Sequence, residues 1–240
     1  MNIFKKLLAG AAIVAAGFGS AQAVTVDGVT WDPDAALDFS SQSVNMRQFI
    51  NTTTGELTGF GIITVFNGTG QTTFCPGCEL TFTFSGFLPT SSTTVPTAGQ
   101  VVTYTGGTVN FYVSGIEITN PFDYNSLTFA NTSNGALFLT AANAGVFTGT
   151  NFGDVLLSGL GNLNVTGGDA AANFDTNTQA GGSDLGFTTS LSFIRGTVAD
   201  ISGTGNLVGN SIPEPASIAL LGLGLAGLGL TQRRRKAAAK

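Results

Sequence analysis

The 240-residue chain has no histidine and carries a net charge of −5. It therefore lacks the commonest general base and metal ligand, which removes Ser-His-Asp catalysis and His-built metal centres. Between residues 24 and 212 there are thirteen acids but only two cations, Arg47 and Arg195, so this stretch sits near −11. Such a surface repels nucleic acid and offers no phosphate clamp. No lysine lies in that stretch either, which excludes Schiff-base chemistry and a Lys-activated serine.

The first element is a targeting segment. Lys5 and Lys6 precede the apolar run Leu7–Gly19, and Ala21-Gln22-Ala23 follows as a small-x-small site. This is the build of a secretory signal peptide over residues 1–23. It implies the general secretion machinery and signal peptidase as partners, with cleavage between Ala23 and Val24. The run is too short to span a bilayer comfortably.

Residues 24–211 read as one exported β domain. Ile62–Phe66 is β-branched and aromatic, and Leu80-Thr81-Phe82-Thr83-Phe84-Ser85 alternates with the period of a half-buried strand. Val101–Thr105, Gly106-Gly107 and Thr108–Val113 read as a hairpin with a two-residue turn. Further strands are expected at Ile116–Thr119, Ser126–Phe129, Ala136–Thr140, Val155–Leu157, Leu163–Val165 and Thr188–Ile194. Asn67-Gly68, Asn120-Pro121, Asn134-Gly135 and Gly167-Gly168-Asp169 supply turns. Helix is expected only around Ala141–Ala144 and Ala170–Asn173, and 167–186 reads as a long surface loop. Short regular strands without a long amphipathic helix predict an all-β fold, a β-sandwich or jelly-roll-like single domain.

Cys75-Pro76-Gly77-Cys78 suits a type II turn, which brings its ends within disulfide range. Export places the pair in an oxidising compartment, so a disulfide at a hairpin tip is expected. A thioredoxin-like centre needs the first cysteine at a helix N-terminus, and a strand is expected here instead. A zinc site lacks two further Cys or His ligands.

Asp27, Asp32, Asp34 and Asp38 crowd the start of the domain, and Asp169, Asp175 and Asp184 lie in the long loop. Either set offers oxygen ligands for Ca²⁺, but solvated loop acids are the expectation. No catalytic residue, cofactor or metal site is assigned. Thr52-Thr53-Thr54, Thr81/Thr83 and Thr93/Thr94 invite an ice-binding reading, although no regular repeat supports one.

The last element is a tail over residues 212–240. Pro213-Glu214-Pro215 is extended, because each proline holds the residue before it out of the helical region. Ala216–Leu230 is an apolar run expected to form a membrane helix; at about 1.5 Å per residue it is short of a ~30 Å bilayer core. Arg233, Arg234, Arg235 and Lys236 form a basic stop cluster that stays in the cytoplasm by the positive-inside rule.

Pro213-Glu214-Pro215, the Leu/Gly-rich run Leu220–Leu230 and Arg233-Arg234-Arg235, in this order, resemble the PEP-CTERM sorting domain of Gram-negative bacteria. The same tail domain is sometimes labelled an ice-binding protein C-terminal domain. The resemblance implies processing by an exosortase after a transient stay in the inner membrane. The final location would be the cell surface or extracellular matrix, often alongside extracellular polysaccharide. Leu57–Gly61, Val65–Gly68 and Phe74–Phe82 are also similar to a group of exported PEP-CTERM proteins. The reading that follows is a non-catalytic envelope or matrix protein. A carbohydrate-binding or carbohydrate-processing β-sandwich is the alternative, and an ice-binding protein the minor one.

Overall fold

The computed structural model describes residues 23–39, 44–153, 156–193 and 200–212. It is mostly β, with 54% strand and 8% helix, as the alternation and turn chemistry imply. The basic cluster, the apolar run and Pro213-Glu214-Pro215 lie outside the described residues.

A hairpin opens the domain. β1 (Val24–Val26) and β2 (Val29–Trp31) turn at Asp27-Gly28, where φ is +51° and +92°. Asp-Gly is a preferred pair for that two-residue turn. The wall begins with β3 (Val44–Ile50) and β4 (Leu57–Ile63). A second hairpin, β5 (Val65–Phe66) and β6 (Thr69–Gly70), turns at Asn67-Gly68, again with positive φ at both residues. The helical turn α1 (Gln71–Phe74) leads into the long β7 (Cys78–Pro89). Then come β8 (Val101–Thr105), β9 (Thr108–Gly115), the helical turn α2 (Phe129–Thr132), β10 (Ala136–Asn143) and β11 (Phe147–Gly153). β12 (Leu156–Gly167), the helical turn α3 (Ala171–Phe174), β13 (Leu185–Phe193) and β14 (Asp200–Gly209) complete the chain.

The pairing closes on itself. β8 and β9 lie end to end along β7, and β10 and β11 lie end to end along β12. Laterally, β9 pairs with β10 and β8 with β11. Each end-to-end pair is thus one bent stave. Among the described residues eight antiparallel staves follow one another in chain order, and the last, β14, pairs with the first, β3. The layered packing expected of a sandwich or jelly roll takes the form of opposite walls of one closed sheet. Its connectivity is a meander, without a Greek-key crossover.

Several local expectations change with this topology. Val101–Thr105 and Thr108–Val113 do not form a hairpin with each other. Gly106 and Gly107, at φ +67° and +92°, let the stave bend, and Gly86 of β7 bends at φ +78° beside them. Residues 116–119 and 126–128 are not strands; they belong to a flap described below. Ala141 to Asn143 are strand, not helix, because their neighbours in β9 and β12 supply the backbone partners.

Phenylalanine rings fill the barrel. Eleven of the chain's phenylalanines are buried among the described residues. Several lie flat over inward-facing glycines of the neighbouring stave. A Cβ at Gly61 would stand 2.4 Å from the Phe82 ring, and one at Gly161 only 2.0 Å from Phe147. Outward-facing positions are mostly hydroxyl and amide side chains. Thr150, Ser158, Ser190, Thr204 and Asn45 line up in register across five staves. An outer-membrane barrel has the reverse alternation, apolar outside and polar within.

Two additions cover the barrel. At the pole holding both Val24 and Ile212, Trp31, Phe39, Phe66, Phe74, Phe138 and Phe174 form one aromatic plug, with Phe39–Phe66 centroids 4.8 Å apart. On the outer wall, Phe60 and Ile62 face away from the barrel core yet are buried. The loop between β9 and β10 folds back over them as a flap, placing Ile118 and Leu127 on that surface and Phe129 against Phe60.

The ring-over-glycine packing generates a prediction. Gly161→Ala should cost about 1–3 kcal/mol through overpacking. Gly115→Ala, where nothing lies within 4 Å, should stay within about 0.5 kcal/mol. Urea unfolding of both variants measures the difference as a shift in midpoint at unchanged slope.

Candidate functional site: the pole that carries the tail

Strand directions place the β1–β2 hairpin, α1, the Cys75–Cys78 turn, the 168–184 loop and Ile212 at one pole. The opposite pole holds the 51–56 and 90–100 loops.

At the first pole the cysteine motif forms a tight turn. Cys78 N–H donates to Cys75 C=O at 3.1 Å, and Gly77 sits at φ +83°, the conformation a type II turn demands of its third residue. The two Cα atoms are 5.1 Å apart and the sulfurs are within bonding reach. The turn joins α1 to β7 and is not a hairpin tip.

Beside it lies a network whose members the sequence offers only separately, Asp38 among the crowded N-terminal acids and Asn67 in a turn. Asp38 is fully buried. Its carboxylate accepts from Asn67 Nδ2 at 2.7 Å and from Ser211 N at 2.5 Å. Trp31 Nε1 donates to Ser211 Oγ at 2.9 Å. Burial pushes the Asp38 carboxyl up, and the hydrogen bonds from Ser211 and Asn67 partly offset that. The only available signal was circumstantial: the chain's single tryptophan, and a serine directly before the tail.

The other acids take individual roles. Asp184 caps the long loop, accepting from Val165 N, Thr176 N and Asn177 N. Asp27 and Asp169 approach each other, and partial burial together with the Asp169 charge pushes the Asp27 carboxyl up. Among the described residues no group of three His, Cys, Asp or Glu side chains converges as a metal ligand set. Glu79 is buried under the flap, where it accepts from Ile118 N at 3.1 Å and from Ser114 Oγ.

The barrel interior holds two cavities of ≈ 30 Å³ each, room for about one water apiece. Gln48 and Thr189 line both, and Tyr104, its phenol pushed up to about 12 by burial, lines the one toward the far pole. The threonines do not assemble into a flat array. Thr52, Thr53 and Thr54 occupy one turn, Thr93 and Thr94 another loop, and Thr81 is buried with its hydroxyl on Thr132 C=O. Ala23 is exposed and Val24 begins β1. Among the described residues no helix is long and apolar enough to cross a membrane.

Two predictions follow from these environments. Thiol labelling of the non-reduced exported protein should modify neither cysteine, and Cys75→Ser/Cys78→Ser should still fold with a loss of at most about 3 kcal/mol; labelling at both sites overturns the pairing. Separately, burial raises the Glu79 carboxyl above its ordinary 4.5, against the hydrogen bonds from Ile118, Glu117 and Ser114. The folded form then holds a proton more tightly than the unfolded chain, so stability falls as pH rises from 4.5 through the folded value. The urea midpoint should drop between pH 4 and pH 7, and it should drop less in Glu79→Gln.

No curated protein and no solved structure matches this chain. Residues 211–235 match the PEP-CTERM protein-sorting motif. The match starts at Ser211, the residue held by Asp38 and Trp31. The chain thus carries at its C-terminus the motif of an exported protein sorted to the cell surface through an exosortase-dependent system.

Proposed function

We propose that the barrel is non-catalytic cargo and the tail its address, giving a protein displayed on the envelope or in the extracellular matrix of a Gram-negative cell. The observation that carries this reading is the filled interior. Among the described residues, phenylalanine rings line interior cavities of ≈ 30 Å³ where a barrel enzyme or carrier would keep a ligand chamber. The buried carboxylates of Asp38, Glu79 and Asp184 are engaged by backbone N–H groups. That is structural work rather than acid–base chemistry. The tail supplies the route. Pro213-Glu214-Pro215 is the extended recognition segment, Ala216–Leu230 the transient inner-membrane helix, and Arg233–Lys236 the cytoplasmic stop.

A second reading has one observation in its favour. The flap exposes Phe122 at 77% and Phe129 at 46%; the Phe129 ring centroid lies 6.1 Å from that of Phe49, over which sits the Arg47 guanidinium, itself making two hydrogen bonds to Asp200. Exposed rings beside a polar fork suit stacking on sugar faces. A glycan array probed with residues 24–212 addresses it. Binding abolished by Phe122→Ala would move the cargo into the carbohydrate-binding class.

The sorting reading has its own test. Pro213→Ala with Pro215→Ala leaves the apolar run intact. In an exosortase-containing host this variant should insert yet remain uncleaved in the inner-membrane fraction. Neutral replacements at Arg233, Arg234, Arg235 and Lys236 should instead release full-length precursor outward. Fractionation with immunoblotting separates the outcomes. Wild-type processing of the double proline variant would leave only a membrane anchor.

A further inference from the structure

We propose that the tail-bearing pole is a clasp that masks the sorting signal, so that residues 210–212 must leave the folded barrel before a processing enzyme can take the segment. This rests on the sorting reading above and adds its regulation.

The residues just before Pro213 are all fastened. Gly209 ends β14, paired with Leu185 and bridged to Phe39. Asn210 Nδ2 donates to Ala36 C=O at 2.6 Å. Ser211 donates its N–H to the Asp38 carboxylate and accepts from Trp31 Nε1. Ile212 N–H donates to Asn173 C=O at 2.7 Å. Three separate segments thus hold three consecutive residues: the one after β2, the turn of β5–β6 through Asn67 and Asp38, and the end of α3. The motif begins with no spacer between it and the barrel.

A cleft that binds an extended peptide uses the backbone groups of residues on both sides of the target. Here the upstream N–H groups of Ser211 and Ile212 are already engaged, and the aromatic plug stands against them. Access therefore requires local opening of the last few residues, an event far smaller than global unfolding. When closing is faster than cleavage, the rate follows the population of the open form. Weakening the clasp should raise that population, and processing should accelerate.

The experiment uses the full-length chain in exosortase-containing membranes and follows the electrophoretic shift of processing with time. Ser211→Ala removes the hydroxyl that accepts from Trp31. It should speed processing by about two- to tenfold, the range of one net hydrogen bond. A four-residue Gly-Ser insertion between Ile212 and Pro213 keeps the clasp but frees the motif, and should also accelerate processing. Urea unfolding of Ser211→Ala checks that the barrel remains folded. Acceleration by both variants supports the clasp. An unchanged or slower rate for Ser211→Ala overturns it, and acceleration by the insertion alone assigns the effect to spacing. Failure of the wild type to be processed in an exosortase-dependent way would instead sink the sorting reading on which the clasp depends.

Discussion

The structure depends on one kind of contact: a phenylalanine ring of one stave lying across a glycine of the next. With few charged residues between 24 and 212 and no His or Lys there, the domain has little electrostatic glue. Its cohesion comes from apolar burial, at roughly 25 cal/mol per Å² removed from water. Large rings fit a narrow closed barrel only if the facing positions are empty. Gly59 and Gly61 under Phe84 and Phe82, and Gly159 and Gly161 under Phe147, supply that space. A glycine in a strand ordinarily weakens it. Here the lost β-propensity is offset by the area each ring buries, and the sheet can curve tightly enough to meet itself.

Once the interior is filled, the two poles and the outer wall can differ. The wall's hydroxyl rows need no partner beyond water. The flap over Phe60 and Ile62 covers two apolar side chains that point outward on a stave whose central inward positions are Gly59 and Gly61. Glu79 and Thr81 tether the flap from below through Ile118 N and Thr132 C=O. The pole that holds Ile212 is closed by aromatic stacking and by the Asp38 network, so the segment after β2 and the segment after β14 are bonded to each other.

Much of this was legible in the sequence where a residue type has one physical meaning. Asn67-Gly68 reads as a hairpin turn because both positions take positive φ, and the β7 alternation reads as a strand with one buried face. The Pro-Gly between the cysteines reads as a type II turn for the same reason. Elsewhere the same logic misled. Gly106-Gly107 has the chemistry of a hairpin turn, yet it bends a stave, because β7 is long enough to pair with both halves. Only the partner's length decides between the two. Residues 59–62 invert the usual pattern, Phe60 and Ile62 facing out and Gly59 and Gly61 facing in, which makes sense only with the flap and the rings of β7 in place. The clasp was invisible for a different reason. It joins Trp31, Asp38, Asn67 and Ser211 across up to 180 residues, and single polar residues at such separations leave no periodic trace.

That long separation also orders events along the chain. The stave that closes the barrel, β14, pairs with β3, which lies some 150 residues earlier. Loop-closure entropy must be met before such a contact gives anything back, so closure waits for the last strand. Ser211 follows that strand directly, and its bond to Asp38 joins the segment after β14 to the segment before β3, the two strands that close the barrel. The state in which the tail is fastened to the pole is therefore the state in which the whole barrel is complete. The matched sorting motif starts inside that fastening, at Ser211, so under the proposed clasp its accessibility is coupled to the folding of the strands upstream.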